Sequence, residues 1–294
     1  MKIRRTLGRL TAATALSASA MTSAFAAGHY VAGVEGLDAG SAPPPGLYYL
    51  GYLVDYHIDS ISGAPGKNTG DVYAYVNRLT WITNRKILGA AYGMEAVVPL
   101  QRTSLRFNGL GVSSTSRGAG DIYLAPLILA WHGTQYDLTF SVGEWMPTGS
   151  YSSTNPSSIG LGYHGTMLTL GGTLYLGAGK AWSASALMRY EVNGAQQDTG
   201  LTPGNELSLE WGIGHPIGGG QQVGLVGYLQ NQTTGSTGPG SSPLDPRKAA
   251  IGLEYDIPLA HEGIFLKIAG YHEISASGGA TKGNLLRMTL VKAF

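Results

Sequence analysis

The sequence predicts an all-β fold: a transmembrane antiparallel up-and-down β-barrel of about 12 strands behind an N-terminal signal peptide. Three observations predict it. The chain starts like an exported protein, no later apolar run approaches the ~20 residues of a membrane helix, and strand-like segments alternate with short and long gaps.

Residues 1–26 read MKIRRTLGRLTAATALSASAMTSAFA. Lys2, Arg4, Arg5 and Arg9 make a basic start, an Ala-rich stretch follows, and Ala24-Phe25-Ala26 fits the small-x-small cleavage pattern. Removing those four cations from the chain's 19 Lys and Arg leaves 15 against 18 Asp and Glu, a net charge of −3 that argues against nucleic acid as a partner. Cysteine is absent, which excludes disulfides and thiolate metal sites; neither a metal nor a cofactor is expected. With 45 Gly, 17 Tyr and only 13% charged residues, the composition suits a β protein with much of its surface out of water. Residues 27–45, AGHYVAGVEGLDAGSAPPP, are too Gly-rich for a helix; they form either a loose periplasmic segment or a small plug ahead of a barrel over 46–294.

The segments follow in order. Residues 46–58 come directly after PPP, and 71–83 end at the short gap NRK. Residues 87–99 precede LQRTSLRFNGLGVSSTSRGA, a long gap; 120–132 and 135–147 are separated by GT alone. A second long gap, TGSYSSTNPSSIGLGY, leads to 164–176, and GAGK joins that to 181–192. Residues 204–215 and 221–232 flank PIGGG, and TTGSTGPGSSPLDP precedes 247–257. PLAHE then leads to 263–274, and 283–294 closes the chain. Short turns on one side and long loops on the other are the habit of outer-membrane barrels, whose even strand count brings both termini to the periplasmic side.

Lipid offers no partner to an open sheet edge, so the sheet must close, and closure makes outward and inward residues alternate. Tyr136, Leu138, Phe140 and Val142 oppose Asp137, Thr139 and Ser141; Trp182, Ala184, Ala186 and Met188 oppose Ser183, Ser185, Arg189 and Glu191. Leu207, Leu209, Trp211 and Ile213 oppose Glu206, Ser208 and Glu210; Ala249, Ile251, Leu253 and Tyr255 oppose Lys248, Glu254 and Asp256. Charges facing acyl chains are costly, so Arg189, Glu191, Glu206, Glu210, Lys248, Glu254, Asp256, Lys267 and Arg287 are expected to line the lumen. There they either form a selectivity ladder or pair across strands and fill a narrow interior. Trp81, Trp131 and Trp182 fall beside short turns, where a periplasmic aromatic girdle belongs. Phe294 shares an alternating face with Leu286, Met288 and Leu290 and resembles the C-terminal signal read by barrel-assembly machinery; Lys292 departs from that pattern.

Several stretches resemble a family of outer-membrane transporters associated with the meta-cleavage pathway of phenol degradation. They are PPPGLYYLGYLVDY, GAGDIYLAPLILAW at 118–131 and EWMPTGSYSSTNPSSIGLG at 144–162, with TPGNELSLEWGIGHPI and VGYLQNQ further on. The family is distantly similar to long-chain fatty-acid transporters. The resemblance implies passage of small hydrophobic or aromatic compounds across the bacterial outer membrane, with membrane lipid as the surrounding partner.

The residues add physics of their own. Segment 120–132 is apolar on both faces, with Ile122, Leu124 and Ile128 on one and Tyr123, Leu127, Leu129 and Trp131 on the other, so part of the lumen wall should be greasy. Pro126 cannot donate to the ladder; it marks either a local bulge or a kink that gives a solute a sideways exit. Signs of enzyme chemistry are missing: no GxSxG nucleophile elbow precedes a helix, no HExxH occurs, and most of the seven histidines sit near segment ends. GLGYHG at 160–165 and GAGD at 118–121 belong to turns feeding strands rather than to a phosphate cradle. The expected function is a channel for small hydrophobic or aromatic solutes. The alternatives are a narrow channel for polar solutes and a structural or adhesive barrel.

Overall fold

The computed structural model describes residues 28–259 and 263–294. The expected signal peptide and His261 lie outside the described residues. β1 (Gly46–Ile61), β2 (Asn68–Ile87) and β3 (Ala90–Phe107) come first; β4 (Val112–Ala119) and β5 (Ile122–His132) then pair end to end along β3. β6 (Tyr136–Met146), β7 (Gly165–Leu176), β8 (Trp182–Asn193), β9 (Glu206–Gly218) and β10 (Gln221–Gln232) follow. β11 (Arg247–Pro258), β12 (Ile264–Ser277) and β13 (Thr281–Ala293) complete the wall. Each strand is antiparallel to its neighbours, β1 pairs with both β2 and β13, and β2 pairs with β3. With β4 and β5 sharing one place beside β3, the described strands form a closed ring of twelve, as the sequence predicts.

Tight connections such as 88–89 and 219–220 gather at one end of the barrel, and the loops 147–164 and 233–246 at the other, which is the outer end in barrels of this kind. The alternation of gap length is nevertheless weaker than the sequence suggests. Residues 100–107 and 112–119, expected as loop, continue β3 and form β4, joined at 108–111. Residues 278–280 alone join β12 to β13, and β2 runs for 20 residues. The reason is that a hairpin standing clear of the bilayer meets water on one face or both. Its sequence, TSLRF against VSSTS, carries no strong apolar alternation, and the backbone ladder makes it a strand.

Side-chain alternation follows the prediction. Along β8, Ser183, Ser185, Arg189 and Glu191 are buried while Trp182, Met188 and Val192 face outward. Leu53, Leu170, Leu174 and Leu253, all more than half exposed, belong to the outer apolar belt, as expected of a lipid-facing wall. At the short-turn end Trp81 and Trp182 are exposed, and Trp131 Nε1 donates to the Leu88 carbonyl at 3.0 Å. The Phe294 amide donates to the Leu47 carbonyl at 3.0 Å, leaving its ring exposed beside β1.

β5 corrects one expectation. Segment 120–132 does not present two uniform faces, because the register shifts between Leu124 and Leu127 against β6 and between Gly93 and Glu95 against β3. The bulge around Pro126 switches the parity, so Tyr123 and Ala125 point inward before it and Ile128 and Ala130 after it. Leu124, Leu127 and Trp131 are the outward set. Two parities in one strand explain why both faces read as apolar.

Candidate functional site

The site is the barrel interior. Residues 28–45 run along it from the outer end, beside Glu191 and Glu206, to the short-turn end at Asp137, and then enter β1. Small residues let this strap lie against the wall. A methyl on Gly40 would sit 2.2 Å from the Gly172 carbonyl oxygen of β7, and Gly36, at φ +77°, lies against the Glu254 carboxylate. Leu37 is fully buried against the glycine face of Gly212 and Gly224, and its carbonyl accepts the Ser185 hydroxyl.

All nine charged residues expected in the lumen lie on inward positions of the wall, and each meets a charged or polar partner from the wall or the strap. Arg189 pairs with Glu35 at 2.7 Å; Arg78, on β2, meets Glu35 at 2.8 Å and Glu95 at 2.7 Å. Arg287 pairs with Glu254 at 2.6 Å and donates to the Val34 carbonyl at 2.7 Å. Lys267 lies 2.9 Å from Asp256 and 3.6 Å from Asp38. Glu206 accepts the Gly28 amide, and Glu210 accepts the Tyr30 hydroxyl and the Glu35 amide. Lys248 meets Glu273 at 3.0 Å, where Tyr56 and Tyr228 also donate at 2.8 Å each.

His29 anchors the top of the strap. Its Nδ1 lies 2.5 Å from Glu191 and its Nε2 3.3 Å from Asp121, with the ring stacked on Trp145 at 5.4 Å and edge-on to Tyr163 at 4.7 Å. Burial alone would lower the imidazole pKa, but the hydrogen bonds and charges of Asp121 and Glu191 outweigh it and raise the value to about 9. Burial likewise acts to raise the Glu35 carboxyl, and Arg78 and Arg189 overcome it and hold it at about 2. His29 lies in the strap rather than near a strand end.

Above the strap, toward the outer end, lies a cavity of about 400 Å³. Val54, Val72, Val76, Val97 and Leu105 of β1–β3 form its apolar side; Tyr151 and Ile159 of loop 147–164 reach over it. The apolar wall is therefore mainly β1–β3, with β5 adding Tyr123. Of the nine charged residues expected to line a pore, Arg189 and Lys248 border this cavity and the other seven do not. Sequence reasoning missed Arg78, Glu95, Asp121, Trp145 and Glu273. Glu273 shares the parity of Lys267 on β12 and was findable; Arg78 follows Val72, Ala74 and Val76 on the inner face of β2, so no run of alternating charge marks it.

Comparison with known proteins fits this architecture. A family model described as "Putative MetA-pathway of phenol degradation" matches residues 51–285. The outer membrane channel of Pseudomonas putida F1 superposes with a TM-score of 0.77 at 14% identity, over 87% of this chain and 98% of that one. The translocator domain of the autotransporter NalP from Neisseria meningitidis gives 0.51 at 13% identity, over 87% and 91%. The transport unit of AIDA-I from Escherichia coli gives 0.51 at 10%, over 96% and 98%. At these identities the likeness is one of fold. No curated protein matches the sequence.

Proposed function

The chain belongs to this phenol-degradation family, and on that premise we propose that it is an outer-membrane channel for passive uptake of small hydrophobic or aromatic compounds. The observation that carries the reading is the cavity at the outer end, lined by valine and leucine of β1–β3 and by tyrosine and tryptophan side chains. Residues 28–45 act as a plug beneath it, restraining free passage of ions and water. The nine inward charges hold that plug and the narrow wall, with a secondary influence on permeation. Phe294 serves as the contact for barrel-assembly machinery.

Cells whose outer membrane carries the protein should take up labelled toluene severalfold faster than cells lacking it; equal rates would remove the reading. The polar-channel alternative draws on the charged interior and predicts a different signature. Refolded protein in a planar bilayer with salt on both sides should stay silent if the plug holds, whereas steady ohmic steps across voltages would favour the polar channel.

A further inference from the structure

Two buried hydrogen-bonding groups at the cavity border make no well-formed hydrogen bond among the described residues. They are Trp145 Nε1, on a residue 8% exposed, and Tyr123 Oη, on a residue 2% exposed and near Ser141. An unmet buried donor is costly, so two on neighbouring rings need an explanation. Their placement is specific. One row of the ladder runs Arg78, Val97, Tyr123, Trp145 across β2, β3, β5 and β6, and the two rings stand 4.9 Å apart. The glycine at 143, one inward position below Trp145, leaves the room that the Tyr123 ring occupies. The Val54, Val72 and Val76 face of β1 and β2 lines the same cavity.

The charges around the same space are already committed. Four cations border the cavity, and each is ion-paired: Arg78 with Glu35 and Glu95, Arg189 with Glu35, Lys248 with Glu273, and the protonated His29 with Glu191 and Asp121. Glu35, Glu95 and Asp121 border it as well. An entering anion meets carboxylates and no free cation, so it would lose its hydration without compensation.

We propose that the cavity is a binding site for a neutral amphiphile, whose apolar ring or chain lies on the β1–β3 face. Its single acceptor oxygen takes the Tyr123 Oη and Trp145 Nε1 hydrogens. The site rejects carboxylates of the same size. A volume of about 400 Å³ falls within the range of small-molecule sites, ~300–1,000 Å³. This deepens the channel reading and rests on it for the claim that the bound molecule is a transported one.

The test uses the full chain in detergent, with toluene, benzyl alcohol and benzoate as probes of one ring size. Trp145 is the inward tryptophan; Trp81, Trp131, Trp182 and Trp211 stand on the outer face, so its fluorescence reports the site. Benzyl alcohol and toluene should both change the signal, Trp145→Phe should abolish the change, and benzoate should bind at least about tenfold more weakly than benzyl alcohol. Tyr123→Phe should weaken benzyl alcohol about fivefold, the worth of one neutral hydrogen bond, and leave toluene unaltered. Equal effects on both probes, no effect on either, or benzoate binding as tightly as benzyl alcohol would overturn the proposal and leave the donors served by water. Retained heat-modifiable migration on a gel checks that each variant is folded. Cellular uptake separates the two readings: the binding pattern without uptake supports the site and sinks the channel, while uptake with Tyr123→Phe silent on both probes does the reverse.

Discussion

His29 ties the outer end of the strap to two separate parts of the wall. It sits between Asp121 at the β4–β5 junction and Glu191 of β8, while Glu206 of β9 holds the neighbouring Gly28 amide and Tyr163 closes the edge of the ring. Its pKa in the folded protein, about 9, lies above the ordinary 6.5. A raised pKa means that the charged form is the bound form. The stabilisation is therefore complete below about 6.5 and is lost as pH rises through about 9. Because the imidazole stacks on Trp145, its charge state should be visible in that indole's fluorescence. A titration should show one transition centred near 9, and His29→Gln should remove it. A midpoint near 6.5 would mean that the two carboxylates do not hold the ring.

At the scale of elements, the strap and the β5 bulge decide what the barrel can pass. The strap is held by side chains from several wall strands, so removing it should unblock the lumen without touching the ring. Deleting 30–42 should turn a silent bilayer into one with steady current, and Gly40→Val should do so in part, because its side chain collides with the Gly172 backbone. A deletion variant as silent as the parent would count against the plug. The bulge is a different kind of feature. Pro126 sits where two register shifts coincide, and its carbonyl accepts the Tyr92 hydroxyl at 2.9 Å. A bulge pinned from both neighbours should survive loss of the ring, so Pro126→Val is expected to leave aromatic uptake within about twofold of the parent. A large fall in uptake would instead assign the proline to a sideways exit.

For the whole molecule, the ring of twelve was legible because a closed wall between lipid and lumen imposes a period of two on every strand. Leu207, Leu209, Trp211 and Ile213 against Glu206, Ser208 and Glu210 show that period in the bare sequence. It failed in two places for physical reasons. Beyond the bilayer the outer side of the β3–β4 hairpin meets water rather than lipid, and at Pro126 a bulge shifts the parity within one strand. The candidate site was legible in its charges but not in its use of them. Alternation put Arg189, Glu254 and Arg287 inside; it could not say that Glu35 and the Val34 carbonyl of the strap would meet Arg189 and Arg287 there. Nor could it pair Tyr123 with Trp145, which are neighbours across β5 and β6. The amino-acid sequence by itself determined the barrel, its strand count and the inward face of the regularly alternating strands, because those follow from local periodicity against two solvents. The tertiary structure alone decided which inward groups are paired, where the strap lies and which donors are left over, because those depend on contacts between residues up to 253 positions apart.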